Sequence, residues 1–183
     1  MKTLILAHPY DKSFCYEIFN VIKSQDYDFE IIDLYRDGFN PTITKEELSQ
    51  YNSGTIIDQQ VIKYQKILKE TTKLIIITPI WWNSIPAILK GFFDKVFSKH
   101  FAYEDSPMGV IGKLKNIKEV QIITTSNSPI PYLKINGINH VIKMTLKQIG
   151  VSKIKFTQLG SIKKSNLKTR EVFLDKIKSK LRE

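Results

Sequence analysis

Apolar residues recur along this chain with two different periods, and the two alternate. Thr3–Ala7 is a short apolar run that predicts a first strand. Phe14, Ile18, Val21 and Ile22 then fall on one helical face, so a helix begins near Ser13, a residue type that caps helices well. Glu30–Leu34 predicts a second strand, broken by Asp37-Gly38. Thr44, Glu46 and Glu47 open a short helix, and Ile57, Val61, Tyr64 and Leu68 carry a longer one. Leu74–Thr78 is a third strand whose unbroken isoleucines imply burial on both faces. Pro86 suits the first turn of the next helix, and Val120–Thr125 is a fourth strand. Ile138, Val141, Ile142, Thr145 and Ile149 form a helix ended by Gly150. Lys153–Thr157 is a fifth strand, and Phe173, Leu174, Ile177 and Leu181 carry a last helix.

Strands alternating with helices predict an α/β fold: a doubly wound, five-stranded parallel sheet with helices on both faces. No linker, repeat or shift in composition divides residues 1–183, so a single domain is expected. Sheets of this kind bind ligands at the carboxyl ends of their strands. Three loops leave those ends: HPYDKSF after the first strand, PIWWNSIP after the third and TSNSPIPY after the fourth.

Composition narrows the classes. At 183 residues and 42% hydrophobic, the chain is long enough to bury a core. No apolar run reaches membrane-spanning length, and the N-terminal residues read as a strand rather than a signal peptide. A single cysteine, Cys15, fits a reducing cytoplasm. The net charge of +10 reads either as solvated surface lysine or as attraction toward an anionic partner such as a phosphorylated cofactor. The lysines are scattered and no aromatic–basic groove is visible, which argues against nucleic acid.

Each loop has a structural and a chemical reading. The first ends at a helix N-terminus, where free N–H groups favour phosphate. There His8 and Ser13 either assist an anion or serve the backbone, Ser13 as a cap. No glycine-rich dinucleotide or P-loop pattern is present. In the second, Trp81 and Trp82, the only two tryptophans, suit one side of a planar heteroaromatic ring, although one of them packing into the core is also expected. In the third, Thr124 to Tyr132 is either a turn-rich surface loop or a set of donors to the polar edge of a ring, with Tyr132 and His140 placed to supply a proton. The helix AILKGFFDKVF is apolar nearly all round, so its second side needs either a second copy of the chain or a covering loop.

The order HPxxKSF, IIDLYRDGFNP, PIWWNSIPAILKGFFDKVF, FAY and a strand ending Thr124-Thr125 resembles the flavodoxin-fold NAD(P)H dehydrogenases (quinone) over most of the chain. That group includes mammalian quinone reductases, bacterial modulator-of-drug-activity proteins and potassium-efflux ancillary proteins. The resemblance implies a flavin, FAD or FMN, with NADPH or NADH as co-substrate and a quinone or similar acceptor. By it, His8, Ser13, Phe14 and Cys15 hold the phosphate end, while Pro79, Ile80, Trp81, Trp82 and Asn83 line the ring. Thr124, Thr125, Ser126 and Asn127 meet the other edge of the ring. It further implies a homodimer in which Tyr103 approaches the flavin of the partner copy, with Tyr132 as proton donor and His140 as a second candidate.

Two departures from the family pattern stand out. Ser126-Asn127 replaces a common Gly-Gly, so side chains there either narrow the space beside the ring or shift the flavin potential. Cys15 replaces a common Asn. The leading expectation is a cytoplasmic flavin-dependent NAD(P)H oxidoreductase. The alternatives are a regulatory flavoprotein that docks on a membrane potassium-efflux system and a flavodoxin-type electron carrier. The basic charge and the PAILKGFFDKVF segment count against the carrier.

Overall fold

The computed structural model describes residues 1–25 and 27–182. Asp26 and Glu183, which the expected domain includes, lie outside the described residues. The elements run β1 (Lys2–Leu6), α1 (Phe14–Lys23), β2 (Phe29–Asp33), α2 (Lys45–Gln50), α3 (Gln59–Glu70), β3 (Lys73–Pro79) and α4 (Ala87–Val96). They continue with β4 (Tyr103–Ser106), β5 (Gly109–Gly112), β6 (Glu119–Thr125), α5 (Ile130–Ile135), α6 (Ile138–Gln148), β7 (Lys153–Leu159) and α7 (Leu167–Arg182).

Five strands form one parallel sheet in the order β2-β1-β3-β6-β7. The chain leaves β1 toward one edge and returns on the far side of β1 as β3, so the winding reverses between these two strands. Alternate side chains feed two layers, as the two-residue period of a strand requires. Leu4, Leu6, Ile75 and Ile77 pack under α1 and α7. Ile5, Ala7, Leu74 and Ile76 pack against α3, α4 and α6. All eight are fully buried, each contributing about 1.5–3 kcal/mol where the side chain is a leucine or isoleucine.

The apolar pattern of α4 is consumed within this chain. Phe92 packs on Phe39 and Tyr64, and Phe93 stacks on Phe97 with ring centroids 5.2 Å apart. Both sides of the helix are thus buried without a second copy, and the covering comes from the chain's own segments. Lys95 on the same helix is buried. Its Nζ donates to Asp58 at 2.6 Å and to the Asn40 carbonyl at 3.1 Å, and it pairs with Glu47 at 2.9 Å. This ties α2, which has no buried residue of its own, to the body.

Three elements lie outside the alternating pattern. β4 and β5 pair as a small antiparallel hairpin inserted before β6. α5 coils the segment expected as a loop, with Pro129 as its cap and buried Leu133 as its anchor. Among the described residues no helix is long and apolar enough to cross a membrane, and no group of three metal-binding side chains is present.

Candidate active site at the carboxyl ends of the sheet

The three loops converge at the carboxyl ends of β1, β3 and β6, and three side-chain contacts join them. His8 meets Trp81 edge-on at 5.7 Å, linking the first loop to the second. Cys15 Sγ lies 3.2 Å from Thr125 Oγ1, linking the first turn of α1 to the end of β6. Asn83 Nδ2 donates to the Tyr132 hydroxyl at 3.1 Å, linking the second loop to the third.

In the first loop, local needs absorb most side chains. Ser13 caps α1 by accepting the Tyr16 N–H at 3.2 Å. His8 Nδ1 accepts the Tyr10 N–H at 3.1 Å, which places the ring proton on Nε2. Burial lowers the His8 pKa below the ordinary 6.5, so the ring is neutral at pH 7. Burial pushes the Cys15 thiol up to about 12, leaving it protonated and unreactive. The N–H groups of Phe14 and Cys15, in the first turn of α1, have no intrahelical acceptor. They and the helix dipole are what this loop offers an anion, with exposed Lys12 beside them.

The second loop is a two-residue turn. Trp81 and Ser84 exchange N–H···O bonds of 2.9 Å in both directions, and the residues between them, Trp82 and Asn83, have φ of 49° and 62°. Positive φ at both central positions marks a primed hairpin turn, which favours Gly and Asn and strains a Trp. The Trp82 side chain is 100% exposed and Trp81 is 42% exposed, so neither tryptophan packs into the core as expected for one of them. The tight turn carries the indoles outward. The loop is anchored by Pro79 and Ile80, both buried, with the Ile80 N–H bonded to the Thr125 carbonyl at 2.8 Å.

In the third loop Thr124 and Thr125 are buried at the strand end. Ser126 does not project into the cleft. It is buried, its Oγ accepts the Ser128 N–H at 2.9 Å, and its backbone is bonded to Leu159 and Ile162. Gly160 permits that close approach, because a Cβ there would lie 2.6 Å from the Ser128 carbonyl oxygen. Asn127 is exposed, leaving it as the one side chain of the Ser-Asn pair that faces outward. Tyr132 is 45% exposed at the mouth of the cleft.

One expected residue is not brought to this cluster, and Tyr103, expected at the flavin of a partner copy, lies apart from it. His140 is exposed on α6 and makes no hydrogen bond or ring contact to the three loops. Its neighbour Asn139 turns toward the sheet instead, where its amide and that of Gln158 exchange hydrogen bonds of 2.8 and 3.1 Å. Gln158 also donates to Thr124 Oγ1 at 3.0 Å. Neither amide was singled out from the sequence. The available signal was a polar residue on β7 in direct register with Thr124. Tyr103 lies on β4, half-buried, with its hydroxyl bonded to that of Tyr51 at 3.1 Å. It borders a groove of about 650 Å³ lined by Phe93, Phe97, Val110, Ile138 and Val141.

The donor set fits a phosphate-bearing planar cofactor. Two free amides sit at a helix N-terminus, and an indole stands uncovered beside the strand ends. Comparison with known proteins places the fold. The flavodoxin-like fold family matches residues 1–183. An "uncharacterized NAD(P)H oxidoreductase" of Haemophilus influenzae is 31% identical over 181 residues, covering 94% of this chain and 89% of that protein. An "FMN-dependent NADH:quinone oxidoreductase" of Coprothermobacter proteolyticus is 32% identical over 128 residues, covering 67% of this chain and 63% of its own length. The crystal structure of Smu.1420 from Streptococcus mutans superposes with a TM-score of 0.86 at 34% identity, covering 97% of this chain and 96% of the other. The chain belongs to the flavodoxin-like fold family, among relatives named as NAD(P)H oxidoreductases.

Proposed function

We propose that this protein is a flavin-dependent NAD(P)H oxidoreductase that passes two electrons to a quinone-type acceptor. The observation that carries the reading is the fully exposed Trp82 on the loop after β3, together with the first-turn amides of α1 on the loop after β1, both at the carboxyl ends of the sheet. The Coprothermobacter relative is named for FMN, NADH and quinone, which makes FMN the first flavin to test, with FAD second. A bound flavin supplies two-electron chemistry between nicotinamide and acceptor.

The chain's own groups then have distinct tasks. The Phe14 and Cys15 N–H groups bind the phosphate, with charge from Lys12. Trp82 covers one side of the ring, and removing about 100 Å² of indole from water returns about 2.5 kcal/mol. Asn127 and the buried Thr125 edge of β6 face its polar rim. Tyr132 donates its O–H toward the acceptor oxygen, which needs a second proton beyond the transferred hydride, and solvent restores it. Neutral His8 keeps a like charge away from the co-substrate's positive nicotinamide product. A reducing cytoplasm suits the single thiol.

We also read the α4–α6 groove as the seat of a second copy. Leu48, Val110 and Val141 are exposed on its walls, and Tyr103 would meet whatever docks there. Sedimentation of a dimer at micromolar concentration supports this, and a monomer contradicts it.

The test of the activity is oxidation of NADH or NADPH by the protein loaded with FMN or FAD, with a benzoquinone as acceptor. Turnover that requires both flavin and quinone is expected. No turnover with either flavin and either nucleotide overturns the reading.

A further inference from the structure

We propose that Asn83 is a positioning residue that aims the Tyr132 hydroxyl at a carbonyl-type acceptor. The inference deepens, and rests on, the reading of the site as a flavin oxidoreductase. Asn83 sits at φ 62° in a turn closed on both sides at 2.9 Å, and the loop is tied to β6 through Ile80 and Thr125. The backbone that carries its exposed side chain is thus fixed relative to β6. Its Nδ2 donates to the Tyr132 oxygen at 3.1 Å. Tyr132 is held from the other side by α5, whose Leu133 is fully buried.

The direction of that bond is what gives it a consequence. A phenol oxygen that accepts from an amide keeps its own proton for donation elsewhere. Among the described residues, the Tyr132 proton has no acceptor, and the side chain is open to the cleft mouth. A ligand that offers a lone pair there, such as a carbonyl, completes the arrangement. A ligand with only hydrocarbon there does not.

Asparagine meets two demands at once. It tolerates left-handed φ, and it carries an N–H donor. Glycine meets the first demand alone. Aspartate also meets only the first, and at neutral pH its carboxylate accepts the phenol proton and withdraws it from the acceptor. These two substitutions keep the turn and remove the donor, so they separate positioning from backbone strain.

The experiment uses flavin-loaded, oxidised protein and two redox-inert probes, 1-tetralone and tetralin, which differ by one carbonyl. Binding is read from perturbation of the flavin visible spectrum, and flavin affinity is measured separately. The wild type is expected to prefer 1-tetralone. Asn83→Gly should weaken 1-tetralone by about 5-fold and Asn83→Asp by about 10-fold, as one hydrogen bond allows. Tyr132→Phe should match Asn83→Asp, and Asn83→Asp combined with Tyr132→Phe should be no weaker than Tyr132→Phe alone. Tetralin and flavin affinities should stay unchanged in all variants. Loss of flavin affinity in Asn83→Gly would make Asn83 a flavin ligand and overturn the proposal alone. So would absence of a 1-tetralone preference in the flavin-loaded wild type, including binding of neither probe. Failure of the wild type to take up any flavin would remove the functional reading and the proposal together.

Discussion

Cys15 Sγ rests 3.2 Å from Thr125 Oγ1, so the first turn of α1 reaches over β3 to the end of β6. This contact sets the distance between the anion-binding amides of α1 and the strand end that faces the ring. Burial at this position, and not the hydrogen bond to Thr125, keeps the thiol unreactive.

That inertness is measurable. Cys15 is buried and its pKa is raised to about 12, so the folded protein should resist iodoacetamide at mildly alkaline pH. The urea-unfolded chain should be alkylated completely, as read by intact mass. Rapid alkylation of the folded protein would mean that the α1 turn opens away from Thr125.

Trp82 carries two costs, exposure of the whole indole and a left-handed backbone. Trp82→Gly removes both. Thermal unfolding of the flavin-free protein should show stability unchanged or raised by up to about 1 kcal/mol. Flavin affinity should fall at least about 10-fold, since a stacking surface worth about 2 kcal/mol is gone. A variant that loses stability and keeps its flavin would place the indole in a structural role.

Much of the sheet was legible because its strands bury both faces and read as unbroken apolar runs, as Leu74–Ile77 does. The tryptophan loop was legible as a strand-end loop for a related reason: large apolar residues stand where a strand has already ended. Its turn was not legible, because Trp-Asn lacks the glycine that usually marks positive φ at both centres. His140 and Asn139 show the limit at one-residue precision. Both are polar and adjacent, and the helix phase of α6 turns Asn139 to Gln158 and His140 to solvent. Of the two covers expected for α4, Phe39 and Tyr64, distant in sequence, supply the one from within the chain, which the local apolar pattern does not reveal. β4 and β5 were missed because short, partly polar strands carry little periodic signal.

Lys95 should be a stability residue with no part in the chemistry. Its ammonium is buried against Asp58 and Glu47, and removing it leaves two partly buried carboxylates uncompensated. Lys95→Met should cost about 3 kcal/mol in urea unfolding, and Lys95→Arg less. A neutral effect of Lys95→Met would show that the carboxylates rehydrate freely.

Acid should weaken the fold through Glu119 and Asp58. Burial pushes both carboxyls up, but Lys153, Lys73 and Lys155 outweigh it at Glu119, and Lys95 with the Gln60 and Val61 amides outweighs it at Asp58. Both therefore titrate below their ordinary values of 4.5 and 3.8. Groups with depressed folded pKa stabilise above the unfolded value and lose that contribution as pH falls through the folded one. Stability should hold at neutral pH and decline below about pH 4.5, with a shallower decline in Glu119→Gln. An identical acid profile in Glu119→Gln would remove Glu119 from the account.

The most direct test of the central claim is anaerobic addition of NADH, then NADPH, to the protein reconstituted with FMN or FAD, followed by the flavin visible absorption. Bleaching by at least one nucleotide within seconds is expected, with recovery of the absorption on adding a benzoquinone. A flavin that is bound but bleached by neither nucleotide would contradict that claim, leaving a flavin-holding fold without the oxidoreductase step.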